Sequence, residues 1–128
     1  MRSKVHILVV DDETEARKIL VEILEMAGYT VSSAAGGTEA LRNLEKHRAD
    51  LVICDVVMPE MDGFAVLEKV KNVYPHINVV MITGNGDADS VRKAFRMGAD
   101  EFITKPFEVN ELSLIIERAC WHILAEGA

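Results

Sequence analysis

The stretch LVICDVVMPEMDG, residues 51–63, decides the fold and poses the functional question. Leu51-Val52-Ile53-Cys54 is short, apolar and partly β-branched, the pattern of a strand covered on both faces of a parallel sheet. The run then ends on a carboxylate, Asp55, where an unpaired charge is costly. One explanation is local: Asp opens turns readily, and Pro59 and Asp62-Gly63 punctuate the loop beyond it. The other is chemical: the strand exists to aim the carboxylate. The surrounding chain decides between them.

Working outward, apolar runs of strand length recur at residues 5–10, 30–34, 51–54, 78–82 and 101–104, separated by segments of helical period. In the first of these, Ala16, Ile19, Leu20, Ile23 and Leu24 follow the i, i+3, i+4, i+7 spacing, and Gly28 stands where a left-handed C-terminal cap belongs. The later helices begin near Thr38, Gly63, Ala88 and Glu108, with Asp87 placed to cap the fourth and Gly98 to end it. Five strand-helix units in alternation predict an α/β fold, a doubly wound five-stranded parallel sheet with helices on both faces and right-handed crossovers.

Composition narrows the function classes. A chain of 128 residues, 49% hydrophobic and 27% charged, suits one soluble domain spanning 1–128, with no room for an output domain. The net charge of −7 argues against unaided binding to nucleic acid or an anionic membrane, since both need a positive field. No apolar run approaches the roughly 20 residues that span a bilayer, and the start, MRSKVHILVVDDE, turns acidic too soon for a signal peptide. The expected compartment is the cytoplasm. Cys54 and Cys120 lack metal-ligand spacing and read as buried, reduced thiols; His6, His47, His76 and His122 are scattered singly.

In an open parallel sheet, ligands bind outside the carboxyl ends of the strands, near the point where strand order reverses. Here the first strand ends in Asp11-Asp12, the third in Asp55, the fourth in Thr83 and the fifth in Lys105. If strands one and three are neighbours, their ends lie roughly 5 Å apart. Three carboxylates would then repel one another unless a cation sits among them. A hard divalent ion with oxygen ligands, Mg²⁺ before Ca²⁺, suits a site of few carboxylates that leaves positions for water and phosphate. With Lys105 as a second cation, such a site can neutralise a phosphoryl group and let a carboxylate attack it, with Asp55 the candidate nucleophile.

The motifs ILVVDDE, DVVMPEMDG, MITG and GADEFITKPF, in this order and covering nearly the whole chain, resemble the receiver domains of two-component response regulators, CheY-like in fold. The resemblance implies strand order 2-1-3-4-5. It implies that Asp55 accepts phosphate from the phosphohistidine of a sensor histidine kinase or histidine phosphotransfer protein. Asp11 and Asp12 would hold Mg²⁺ directly or through water, with Asp55 and the backbone carbonyl of Val57 completing the protein ligands. Thr83 would hydrogen-bond the phosphoryl oxygens, Lys105 would pair with them, and Lys105-Pro106 would be a cis peptide, credible because the next residue is proline. Such a domain is a phosphoacceptor switch that assists its own phosphorylation and dephosphorylation, not an enzyme acting on other substrates.

Three other readings compete. A phosphatase of the haloacid dehalogenase type also uses an aspartate at a strand end, but it needs a second Asp two residues later, where this chain has Val57. A flavodoxin-like cofactor binder would carry a Ser/Thr/Gly-rich phosphate loop after strand one, which is absent; Gly84-Asn85-Gly86 is a weak substitute. A receiver that acts without phosphorylation is disfavoured because every acceptor-site residue type is present.

Further expectations concern switching. Thr83 moving toward phosphate would vacate space for the ring of Phe102, and the residues two past the acceptor and two past the threonine, Val57 and Asn85, would influence the attack of water. On the last helix Val109, Leu112, Ile115, Ile116, Ala119, Cys120 and Ile123 should face the sheet, while Leu114 and Trp121 form an outward apolar stripe. Receivers commonly use the face made by helix 4, strand 5 and helix 5 for output. The stripe therefore predicts a homodimer or a docked effector, with Arg92, Lys93 and Arg96 placed to pair with Glu117 or Asp100 of a second copy. A free-standing relay protein and the amino-terminal piece of a longer regulator both fit the chain.

Overall fold

The computed structural model describes residues 2–84 and 86–126, so Asn85 lies outside the described residues. After a 3-10 turn, Arg2–Lys4, strands β1 (His6–Val10), β2 (Thr30–Ala34), β3 (Leu51–Asp55), β4 (Asn78–Thr83) and β5 (Glu101–Thr104) alternate with helices α1 (Thr14–Met26), α2 (Gly37–Lys46), α3 (Gly63–Val73), α4 (Ala88–Arg96) and α5 (Val109–Glu126). The strands form one sheet in the order β2-β1-β3-β4-β5. Every pairing is parallel. The reversal of order falls between β1 and β3, which sets the ends of those two strands side by side.

All five residues of β3 are buried, as a central strand covered on both faces requires. Alternation along the strand divides its side chains between two cores. Val52 and Cys54 join Leu8, Val10, Val79 and Met81 under α2, α3 and α4. Leu51 and Ile53 join Ile7, Val9, Val80 and Ile82 under α1 and α5. Each fully buried Val, Leu or Ile contributes about 1.5–3 kcal/mol by leaving water, so the central strands are the most firmly fixed part of the chain. Gly28 and Gly98 take φ of 99° and 100°, the left-handed conformation that ends α1 and α4. Asp87 caps α4, its carboxylate accepting from Ser90 N at 2.7 Å.

Some expectations shift. β3 continues through Asp55 and β4 through Thr83, because Asp55 pairs with Ile82 and Thr83 with Thr104 in register. Asp55 and Thr83 thus end their strands as expected, whereas β1 and β5 stop at Val10 and Thr104, one residue before Asp11 and Lys105. Ile19, assigned to the buried face of α1, is 55% exposed, and Val109, assigned to the buried face of α5, is 52% exposed. Both line an open groove between α1 and the start of α5, where no neighbouring element closes over them. The rest of the α5 stripe behaves as its period requires: Leu112, Ile115, Ile116, Ala119 and Cys120 are buried, and Ile123 packs partly against them.

Candidate functional site

Asp11 follows the last residue of β1 and is anchored three ways. Its N–H donates to Ala34 O at 3.2 Å, its Oδ1 accepts from Glu13 N at 2.9 Å, and its carbonyl accepts from Arg17 Nη1 at 2.8 Å. The carboxylate therefore folds back over its own turn and is not a cap of α1, whose N-cap is Glu13 without a side-chain hydrogen bond. Asp11 is buried and Asp12 beside it is exposed.

Asp55 is held equally firmly. Its Oδ1 accepts from Val57 N at 3.0 Å, and Lys105 Nζ donates to its Oδ2 at 3.2 Å. The same ammonium reaches Asp11 Oδ2 at 3.3 Å, so one lysine bridges both carboxylates. Lys105 is positioned by its own N–H, which donates to Thr83 O at 2.7 Å, and its peptide bond to Pro106 is cis. Gly63 closes the loop behind Asp55: a methyl group there would lie 2.2 Å from Asp55 O, so only glycine lets α3 start this close to the strand end. Asp62 caps that helix, its Oδ1 accepting from Ala65 N at 2.9 Å.

Carboxylate oxygens of Asp11, Asp12 and Asp55 lie within 4.8 Å of one another. The electrostatics follow from the crowding. Burial foremost pushes the Asp55 carboxyl up; the Val57 N–H and Lys105 pull the other way, and Asp11 adds repulsion. Burial also opposes the Lys105 charge, yet Asp55 and Asp11 more than offset it and hold its pKa above the ordinary lysine value. A site with three acidic groups and one ammonium is short of positive charge. Its donors are all hard oxygens, the set that Mg²⁺ or Ca²⁺ prefers.

Thr83 is buried at the end of β4, and Phe102 is half-buried on β5, where its ring packs against the core under α3 and α4. The side chain of Val57 is 67% exposed and cannot serve as an acid or base. The Cys54 thiol, pushed far up by burial, donates from Sγ to Asp55 O at 3.4 Å and acts as packing, not as a nucleophile. Cys120 is likewise buried, its thiol raised to about 12 chiefly by burial.

The sequence reading missed a groove of about 310 Å³ that opens beside the acidic group, lined by Asp11, Ile19, Ile23, Lys105, Phe107 and Val109. Its walls combine α1 with Phe107 and the first residue of α5, segments far apart in the chain, so no local pattern declares it. Two ion-pair expectations change. Glu117 is engaged by Arg2, and Asp100 by Lys71 at 2.8 Å, both within the chain. Leu114 and Trp121 are exposed at 55% and 65%, as the helical period requires. No helix among the described residues is long and apolar enough to cross a membrane.

Comparison with known proteins agrees with this geometry. The family model of the response regulator receiver domain matches residues 7–117. The C4-dicarboxylate transport transcriptional regulatory protein DctD of Rhizobium meliloti is 40% identical over 113 residues, which are 88% of this chain and 25% of that protein. The chain thus spans about a quarter of the length of that relative. Among solved structures, the receiver domain of NtrX from Brucella abortus is 37% identical with a TM-score of 0.84, covering 88% of this chain and 96% of that one. A CheY-like receiver domain protein from Methanospirillum hungatei is 31% identical with a TM-score of 0.89, covering 95% and 98%. By strand order, by the residues at its strand ends and by these matches, the chain belongs to the response regulator receiver domain family.

Proposed function

We propose that this chain is a phosphorylation-dependent signalling switch whose acceptor is Asp55. The observation that carries the reading is Lys105 bridging Asp55 and Asp11 at 3.2 and 3.3 Å at the sheet's carboxyl edge. In the proposed reaction an Asp55 oxygen attacks the phosphorus of a phosphohistidine, the P–N bond breaks, and the histidine leaves with its nitrogen electron pair. Lys105 remains beside the new acyl phosphate and offsets its charge, while the Thr83 hydroxyl donates to a phosphoryl oxygen. Asp11, Asp12, Asp55 and the Val57 carbonyl are the groups that would hold Mg²⁺, which supplies the further positive charge that phosphoryl transfer requires. Rigid backbone anchoring of both carboxylates favours the transfer by fixing the attacking group before the donor arrives.

The donor would be a sensor histidine kinase or a histidine phosphotransfer protein, and the groove beside Asp11 and Lys105 is open to it. Output would run through the face of α4, β5 and α5, by dimerisation or by docking of an effector at Leu114 and Trp121. Phosphate on Asp55 would draw the Thr83 hydroxyl inward and let Phe102 follow. Relatives that bear the names of transcriptional regulators are several times longer than this chain, and a role in a cytoplasmic signalling pathway follows from the likeness. No direct contact of this domain with nucleic acid or membrane is proposed, and no turnover of external substrates.

Incubation with Mg²⁺ and a small phosphodonor, followed by intact mass, tests the reading. Wild type should gain one phosphoryl group, and Asp55→Asn should gain none. Rapid turnover of many phosphoesters, or an equal gain in Asp55→Asn, would show that the acceptor is elsewhere.

A further inference from the structure

Arg17 follows an acidic stretch, Asp12-Glu13-Thr14-Glu15, where an arginine ordinarily pairs with a carboxylate. It does not: among the described residues no carboxylate lies within ion-pair distance of it. Its Nη1 donates instead to the carbonyl oxygen of Asp11 at 2.8 Å, reaching back from the first turn of α1. A half-buried guanidinium so placed makes a charge-assisted hydrogen bond, roughly twice as strong as a neutral one. The consequence falls on Asp11. Its N–H is held by Ala34 O and its Oδ1 by Glu13 N, so with the carbonyl fixed as well the residue has little freedom left. Oδ2 then stays aimed at Lys105 Nζ, 3.3 Å away, within the oxygen group shared with Asp12 and Asp55. Two of the three anchors are neighbouring backbone. Only the third is a side chain of α1, the helix that also walls the groove beside the site through Ile19 and Ile23.

We propose that Arg17 is a positioning residue for the metal-holding group: by fixing the Asp11 carbonyl, it holds the Asp11 carboxylate in the orientation that a divalent cation needs. It acts through Asp11 alone, and it acts by its hydrogen bond and not by its charge. The sign of the effect separates the two. A guanidinium near the site repels a cation, so losing its charge alone would tighten metal binding, whereas losing the anchor loosens it. Outer partners that orient a ligand side chain cost about 10–100-fold in metal affinity when removed. An anchor on the backbone of the ligand should cost less, roughly three- to tenfold.

The metal half of this proposal rests on the reading of Asp11 as a Mg²⁺ ligand; the anchoring half does not. Wild type, Arg17→Ala and Arg17→Lys are to be compared, since alanine keeps the helix and lysine restores a cationic donor. The readouts are amide hydrogen exchange in metal-free protein, followed by NMR, and the Mg²⁺ dissociation constant from titration of the same signals. In Arg17→Ala the amides of Asp11 and Glu13 should exchange roughly threefold faster or more, while those of Val52 and Ile53 on β3 keep their rates, because local opening leaves the core protected. Mg²⁺ should bind roughly three- to tenfold more weakly. Arg17→Lys should return both readouts close to wild type. Unchanged exchange at Asp11 and Glu13, or unchanged or tighter Mg²⁺ binding in Arg17→Ala, overturns the proposal. Equal acceleration across β3 also overturns it, since the loss would then be one of overall stability. So does an Arg17→Lys as impaired as Arg17→Ala, which would trace the effect to packing of the arginine stem. A wild type that binds no Mg²⁺ would sink the reading of Asp11, Asp12 and Asp55 as the metal group instead, and the exchange rates would still decide whether Arg17 anchors Asp11.

Discussion

Val57 stands two positions past Asp55 and contributes to the site through its backbone alone. Its N–H donates to Asp55 Oδ1, while its side chain points its apolar surface into solvent with 67% exposure. Hydrolysis of an acyl phosphate on Asp55 needs a water held in line with the breaking bond, and an isopropyl group cannot hold one. Slow self-dephosphorylation is the expected outcome, and Val57→Asn should speed phosphate loss by about three- to tenfold, the modest gain expected from orienting water without taking its proton. The decay of phosphorylated protein, followed by intact mass after removal of the donor, measures it; equal lifetimes would dismiss the role of this position. At this scale the gathering of Asp11, Asp12, Asp55, Thr83 and Lys105 at the sheet's carboxyl edge was legible because these residues are chemically unlike the apolar runs they end. Arg17, whose guanidinium donates to the Asp11 carbonyl, was not legible, since a helical arginine does not declare its partner until the fold places it.

The two helices of the proposed output face differ in how they are fixed. α4 is tied by few groups, among them Lys93, whose ammonium lies 4.3 Å from the centroid of the Phe64 ring, while Arg92 pairs with Asp89 inside the helix itself. α5 is pinned at one turn near its middle: Arg118 Nε donates to Glu101 at 2.9 Å, Arg2 pairs with Glu117, and the Asn78 side chain donates to Ala119 O. A pinned helix that still exposes Leu114 and Trp121 presents a rigid apolar stripe, and Trp is enriched where interfaces carry most of their energy. Because Glu117 and Asp100 already have partners within the chain, association through this face should depend on the stripe and not on cross-copy ion pairs. Phosphorylated wild type should associate at tens of micromolar, roughly −6 to −7 kcal/mol, and Leu114→Glu and Trp121→Glu should remain monomeric in sedimentation. A monomeric wild type, or variants that associate as well as it does, would rule out the dimer. Helical period made the stripe legible; it placed Ile19 and Val109 wrongly because period gives the direction of a side chain but not whether a neighbouring element closes over it.

Across the molecule, folding itself creates the electrostatic problem that the site then uses. Asp55 is distant in sequence from Asp11 and Asp12, and only the adjacency of β1 and β3 brings their oxygens within 4.8 Å. Burial, ahead of the repulsion by Asp11, raises the Asp55 pKa in the folded state above its ordinary value. A carboxyl raised in this way favours folding fully below the unfolded value of about 3.9, and that contribution is lost as pH rises through the folded value. At neutral pH, without divalent metal, the Asp55 charge is therefore a net cost even with Lys105 beside it. Asp55→Asn keeps an acceptor for the Val57 N–H and removes the charge, so it should melt at a higher temperature than wild type at pH 7 without metal. The gap should close as pH falls below the ordinary carboxylate range. Mg²⁺ should act in the opposite order: at a hundred times its dissociation constant, a ligand that binds only the folded state adds about 2.7 kcal/mol, and wild type should gain more of this than Asp55→Asn. Thermal unfolding at pH 7 and pH 3.5, each with and without Mg²⁺, tests the whole scheme. Equal midpoints for the two proteins without metal at pH 7, or equal stabilisation of both by Mg²⁺, would mean that the acidic crowding costs the fold nothing.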